Sequence, residues 1–208
     1  MSGRKIDGLY EHPLDNIFIE VSEKISPTIQ SLNMTPNMIT FLSLIFGILA
    51  IWLLVKNNFT GFAICYLISY FFDCTDGYIA RKYKMTSKFG DYFDHIKDVV
   101  VFLGIFIVVI FKYKSILYWY EWIMIAIIIF LSAFGMVRHL GCQEKHYSTS
   151  KGIQVDEKNS TLSKYASLCP QEDVKNEMRT RRWLGCGNFI LTLILLVGIV
   201  YTIAKKRG

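Results

Sequence analysis

"DCTDGYIARKYKMTSKFGDYFDHIKD", residues 73–98, places five aspartates, Asp73, Asp76, Asp91, Asp94 and Asp98, between two apolar tracts. Whether those carboxylates lie in water or at lipid depth decides the fold. Phe59–Phe72 leads into the stretch and Val99–Phe111 leads out of it. Neither tract alone reaches the roughly 20 residues needed to cross a hydrocarbon core of about 30 Å. Both become long enough if their helices continue through the aspartates, which puts the charges inside the spans. On a helix starting at Phe59, Asp73 lies roughly 20 Å along the axis, in the cytoplasmic third of the core.

Three further tracts, Met38–Val55, Ile116–Val137 and Trp183–Ala204, bring the expected spans to five. With 208 residues, 52% hydrophobic, only 19% charged and a mean hydropathy of +0.34, the chain is short for two domains and too apolar for a soluble one. The expectation is an all-α, polytopic membrane helix bundle with five, or at most six, transmembrane helices. Residues 1–35 form an N-terminal cytoplasmic segment and residues 36–208 the membrane domain. That first segment has no basic start followed by an apolar run and a cleavage site, so the first span is expected to serve as its own insertion signal.

The formal charge of +6 matters through its placement. Arg4, Lys5 and Lys24 precede the first span, Arg81, Lys82, Lys84 and Lys88 lie between the second and third, and more follow from Arg138 to Arg182. The positive-inside rule puts all three segments on the cytoplasmic side. Lys205, Lys206 and Arg207 then fall on the opposite face, against the trend. Topology accounts for this basic charge, and a nucleic-acid partner is not expected. The five cysteines are odd in number and form no C-x-x-C pair, so free thiols are expected rather than a disulfide or zinc framework.

Between Pro13 and Pro27, Leu14, Ile17, Phe18, Val21 and Ile25 share one helical face, as an interfacial amphipathic helix requires. Thr35 is placed to cap the first span, with Pro36 in its first turn. Tyr118, Trp119, Tyr120 and Trp122 form an aromatic belt beside a solvated Glu121. Residues 141–182 turn polar with little periodicity and read as a long cytoplasmic loop with no more than short helix.

On one helix, Asp73, Asp76, Gly77, Ala80 and Arg81 form a single stripe, and on the next Gly90, Asp94 and Asp98 repeat at every fourth residue. A short turn lets the stripes face one another. Each carboxylate deep in lipid costs about 2.5 to 3.5 kcal/mol even on the lenient insertion scale. Ion pairing with Arg81, Lys82 and Lys97 neutralises part of that charge but leaves Gly77 and Ala80 without a purpose. Hard oxygen ligands without His or Cys suit Mg²⁺ or Mn²⁺, either one ion or two. Small residues admit a bulky ligand, and Arg81 offers a fork for phosphate. The residues thus point to metal-dependent chemistry on a diphosphate at a membrane.

The same stretch resembles the signature of the CDP-alcohol phosphotransferases, D-x-x-D-G-x-x-A-R-x8-G-x-x-x-D-x-x-x-D, with every fixed position filled by Asp73, Asp76, Gly77, Ala80, Arg81, Gly90, Asp94 and Asp98. The upstream P-N-x-x-T at Pro36–Thr40 extends the likeness. The resemblance implies that Asp73, Asp76 and Asp94 ligate two metal ions, with Asp98 near the second ion and serving as the base for the attacking hydroxyl. It further implies that Asn37, Thr40, Gly77, Ala80, Arg81, Ser87 and Gly90 contact the CDP-linked donor. A homodimer is likewise implied. Asp91, at a free position of the pattern, is expected to complement the dipole at the start of the third span, and His95 to be packed or hydrogen-bonded. Arg138, Arg179, Arg181 and Arg182 are candidates for an acceptor phosphate or headgroup, although juxtamembrane anchoring also accounts for them.

The resulting expectation is transfer of a phosphatidyl group from CDP-diacylglycerol to a small alcohol, with release of CMP, at the cytoplasmic face of a bilayer. A second reading has CDP-choline or CDP-ethanolamine donating to diacylglycerol as lipid acceptor. A third, of another class, is a non-catalytic scaffold or transporter that keeps the helix pair.

Overall fold

The computed structural model describes residues 3–151, 163–170 and 173–207. Seven α-helices carry the chain and no strand occurs among the described residues. Helix α1 spans Pro13–Ser31, α2 Pro36–Val55, α3 Phe59–Lys82, α4 Lys88–Tyr113, α5 Trp119–Lys151, α6 Val174–Arg181 and α7 Cys186–Arg207. The all-helical class expected from sequence is what forms.

The two helices that had to run through the aspartates do so, and local chemistry sets their ends. The Asn58 side chain accepts from the Gly61 N–H to open α3, and the Ser87 hydroxyl accepts from the Gly90 N–H to open α4. Thr35 caps α2 through the Met38 N–H, with Pro36 in the first turn, where its missing N–H costs nothing. Helix α2 ends at Val55, and just beyond its cap Lys56 the chain turns at Asn57, whose φ of 59° is a left-handed conformation Asn tolerates. The Lys112 ammonium, reaching across from α4, caps the Leu54 and Val55 carbonyls at 3.0 and 2.8 Å. At the opposite end of the helix pair, Lys84 at φ 57° turns α3 back toward α4.

Helix α2 lies against both α3 and α4, and α7 closes on α3, α4 and α5. One half of the bundle has an apolar core that includes Ala50, Leu54, Phe62, Val101, Ile105, Leu193 and Val197. Its far end is clipped where Arg207 grips Glu121 bidentately at 2.8 and 2.9 Å and lies 4.7 Å over the Tyr118 ring. Glu121, read from sequence as merely solvated, therefore has a fixed partner.

Helix α1 exposes Ile17 and Val21 and leaves Leu14, Phe18 and Ile25 half-buried, so the expected apolar stripe faces outward. Its inward face is instead mostly polar: Asp15, Ile19, Ser22 and Ser26. Ser22 meets Thr75 of α3 at 2.7 Å, and Tyr70 donates to Asp15 at 2.6 Å. The helix runs past Pro27, where the periodicity had suggested an end. Ser26 donates to the Glu23 carbonyl, the acceptor that Pro27 cannot serve.

Three stretches are long and apolar enough to cross a membrane: α2, residues 119–150 within α5, and residues 174–207, which contain α7. Helices α3 and α4 have the length, but the charges of residues 73–98 keep them out of that set.

Two expectations are overturned. The polar region 141–182 is not a loop over its described part: α5 continues through residue 151, a 3-10 turn covers Ser163–Leu168, and α6 follows. Residues 152–162 and 171–172 of that expectation lie outside the described residues. Helix α5 extends because apolar periodicity is only one source of stability. Its polar end packs on the 3-10 turn and α6, with Met178 and Cys142 buried between them. Nor are all cysteines free: Cys142 and Cys169 are joined by a disulfide, while Cys65, Cys74 and Cys186 are free. The helical extension brings together two thiols that sequence spacing left unrelated.

Gly47 marks a close crossing of α2 and α4 near the charged stretch. A Cβ there would stand 2.6 Å from a Val101 methyl of α4. Gly47→Ala is expected to destabilise the protein by about 1 to 3 kcal/mol through overpacking, measured as a lowered unfolding temperature in detergent.

Candidate active site

Helices α3 and α4 bring their stripes together at the end of the bundle nearest α1. Oxygens of Asp73, Asp76 and Asp94 all lie within 4.8 Å of one another. A three-carboxylate oxygen set of this spacing fits a hard divalent cation. Asp76 is buried and accepts a 2.6 Å hydrogen bond from Thr40 of α2. The fixed orientation of Asp76 thus depends on a residue far from it in sequence.

Asp98, one turn beyond Asp94, stands outside this trio with its side chain 59% exposed. Lys97, by contrast, is buried, and its ammonium contacts Asp73, Asp94 and Asp98.

Beside the carboxylates opens a cavity of about 550 Å³. Its lining includes Asn37, Thr40, Asp76, Gly77, Ala80, Arg81, Ser87, Gly90 and Asp94. All seven residues expected to contact the donor therefore meet in one space. The helix start of α2 supplies Asn37 and Thr40, the last turns of α3 supply Gly77, Ala80 and Arg81, and the first turn of α4 supplies Gly90 behind its cap Ser87. A Cβ on Gly90 would lie 2.9 Å from Asn37 Oδ1, so the α2 and α4 starts approach closely. A Cβ on Gly77 would lie 3.1 Å from an Arg81 guanidinium nitrogen, so the small residue leaves that side chain its room. Asp91 stands in the first turn of α4 and His95 Nδ1 lies 2.7 Å from the Asp91 carbonyl oxygen, and both also line the cavity.

The N-terminal segment forms part of the cavity wall. Arg81 Nε donates to the Gly3 carbonyl at 2.8 Å, and Lys5 pairs with Glu144 of α5 at 2.7 Å. Lys5, Glu144 and Tyr147 all line the cavity, and none was singled out from sequence. Lys5 counted there only as topological charge, and Glu144 and Tyr147 fell in the stretch read as loop.

The four arginines considered for an acceptor gather elsewhere. Arg138 and Arg181 both bind Glu177, at 2.8 and 2.5 Å, Arg182 lies 5.3 Å over the Trp183 ring, and Arg179 is exposed on α6. None lines the donor-side cavity.

Three comparisons with known proteins bear on this site. The family model described as CDP-alcohol phosphatidyltransferase matches residues 33–202. A curated relative, the CDP-diacylglycerol–inositol 3-phosphatidyltransferase of Drosophila melanogaster, is 26% identical over 107 residues. That alignment covers 51% of this chain and 41% of the relative, so the chain matches less than half of the fly protein's length. No solved structure matches the chain.

Burial around the N-terminal segment makes stability depend on pH. Desolvation pushes the Glu11 carboxyl from its ordinary 4.5 up to about 7, against the pull of Arg4 at 2.7 Å. Desolvation also raises Asp15 to about 6, opposed by the Tyr70 hydrogen bond. Between 4.5 and about 7 the folded chain holds a proton on Glu11 that the unfolded chain has released. This contribution is therefore present at acid pH and lost as pH rises through that window. Glu11→Gln lacks the titration. Wild type is expected to lose on the order of 2 kcal/mol relative to Glu11→Gln between pH 4.5 and 8, read from paired thermal or denaturant unfolding curves.

Proposed function

We propose that this chain, which belongs to the CDP-alcohol phosphatidyltransferase family, transfers a phosphatidyl group from CDP-diacylglycerol to a hydroxylated acceptor and releases CMP. The observation that carries the reading is the meeting of the three-carboxylate group, through Asp76 and Asp94, with a 550 Å³ cavity lined by all seven expected donor contacts. A cavity of that size suits a nucleotide end group. Inositol is the first acceptor to examine, because the fly relative's name specifies it.

In this reading residues 1–35 lie on the cytoplasmic surface and residues 36–208 form the catalytic membrane domain, with five spans in α2, α3, α4, α5 and α7. The active site then opens at the cytoplasmic face. The outward apolar stripe of α1 supports its interfacial placement.

Asp73, Asp76 and Asp94 would hold a divalent ion, Mg²⁺ or Mn²⁺, which supplies charge neutralisation of the diphosphate and stabilisation of leaving CMP. The chain's own residues do the rest. Thr40 holds Asp76 toward the trio, and Arg81, fixed through Nε by the Gly3 carbonyl, keeps its terminal nitrogens for a phosphate oxygen. Asn37, Ser87 and Gly90 form the opposite rim, where close backbone approach leaves room for a flat nucleotide. Asp98, more exposed than the other three, accepts the proton of the acceptor hydroxyl as it attacks phosphorus.

The test is CMP release by purified full-length chain in vesicles with CDP-diacylglycerol, Mg²⁺ or Mn²⁺ and a panel of alcohols. Asp98→Asn is expected to lower turnover by about 10²- to 10⁴-fold while donor binding persists. Unchanged turnover removes Asp98 from its role. CMP from CDP-choline or CDP-ethanolamine with diacylglycerol, and none from CDP-diacylglycerol, reverses the lipid side. No metal-dependent CMP from any donor removes the enzymatic reading.

A further inference from the structure

Lys97 stands among carboxylates proposed to hold metal, and it is 3% exposed. Its ammonium contacts an oxygen of Asp73, lies 3.1 Å from Asp94 Oδ1 and 3.0 Å from Asp98 Oδ1, and donates to Ser43 Oγ at 3.2 Å. Ser43 is itself fixed, donating to the Ser69 carbonyl at 2.8 Å. An ammonium has three protons, and four oxygens surround this one, so its bonding capacity is filled where it sits. Moving it away would strand a buried positive charge and uncover three negative ones.

The four aspartates consequently divide. Asp73, Asp76 and Asp94 frame one cation position, and Asp76 takes its hydrogen bond from Thr40. Asp98 does not join that group but meets Asp73 and Asp94 around the ammonium. All three carboxylates that a second divalent ion beside Asp98 would use are already on the Lys97 ammonium, whereas the first position keeps Asp76, which is held by Thr40 instead.

We propose that Lys97 is a tethered cation filling the second metal position, so that the site takes one divalent ion per chain rather than two. Lys97 is then a positioning residue. It orients Asp98 beside the ion-binding trio and neutralises part of the cluster before any metal arrives. The inference rests on the reading of Asp73, Asp76 and Asp94 as metal ligands.

Mn²⁺ binding to the full-length chain in detergent separates the two ideas. Free Mn²⁺ is followed by electron paramagnetic resonance for wild type, Lys97→Met and Lys97→Gln. Wild type is expected to take up one Mn²⁺ per chain. Lys97→Met, of similar length and no charge, is expected to take up two, or to bind one at least about tenfold tighter. Lys97→Gln keeps a polar head without the charge and should behave as Lys97→Met, which assigns the effect to charge. A second readout needs no stoichiometry: in EDTA both variants should unfold at lower temperature than wild type, and Mn²⁺ should raise them by more. Two ions in wild type, or equal binding in all three proteins, overturns the proposal while the metal reading stands. No Mn²⁺ binding by any of them removes the metal reading and the proposal together. Wild-type stoichiometry alone decides if the variants do not fold.

Discussion

Four carboxylates packed into two facing helices cannot coexist without counter-charge, and the architecture follows from that constraint. Asp73, Asp94 and Asp98 gather on the Lys97 ammonium, and Asp76 is fixed by Thr40. Those contacts require α2, α3 and α4 to converge at one end. The convergence in turn requires Ser43 and Ser69 to bond across the α2–α3 contact, and Gly47 to bring α4 within reach. Polar fixing at the site and apolar packing at the far end are complementary. The far core around Leu54, Phe62 and Ile105 is largely apolar and holds no charged side chain, so a misplacement that drew charge inward would be costly.

The first half of the chain was legible because its signals are local. Thr35-Pro36 and Ser87 cap helices through bonds spanning three residues, and the aspartate spacing follows from helical periodicity. What sequence could not provide were pairings between distant segments. Nothing local to Glu144 foretells Lys5, and nothing local to Cys142 foretells Cys169, because both depend on where α5 ends. The α5 extension was missed for a related reason. A helix stabilised by a 3-10 turn and a disulfide along its polar end needs no amphipathic stripe of its own. Lys97 lay in between: three residues from Asp94 it was visible as an ion-pair partner, yet its place among three carboxylates emerged only from the crossing of α3 and α4.

Helix α1 shows how much of a helix's setting its apolar stripe leaves out. Its apolar stripe was expected to meet lipid, and Ile17 and Val21 do point away from the protein. Its attachment, however, is partly polar: Asp15, Ser22 and Ser26 bond to Tyr70, Thr75 and Lys82 of α3, beside Phe18 on the Tyr70 and Phe71 rings and Ile19 with Tyr78 and Ile79. A helix at a bilayer surface that docked through leucines would have two competing apolar faces. With hydrogen bonds inward and hydrocarbon outward, only one orientation satisfies both surroundings.

That orientation has a consequence for the proposed chemistry. Because α1 is anchored to α3 by geometry-specific bonds, the segment preceding it is carried to a defined place, where the Gly3 carbonyl meets Arg81 and Lys5 meets Glu144. The cavity wall is thus built from the segment before α1, the end of α3 and the extension of α5. A donor whose acyl chains remain in lipid while its nucleotide enters such a cavity must approach along the surface that α1 occupies. Asp98 is more exposed than the other three aspartates. The aspartates therefore differ in setting: Asp76 is buried, Asp73 and Asp94 are half-buried, and Asp98 is exposed, which leaves Asp98 the most open of the four to a second substrate.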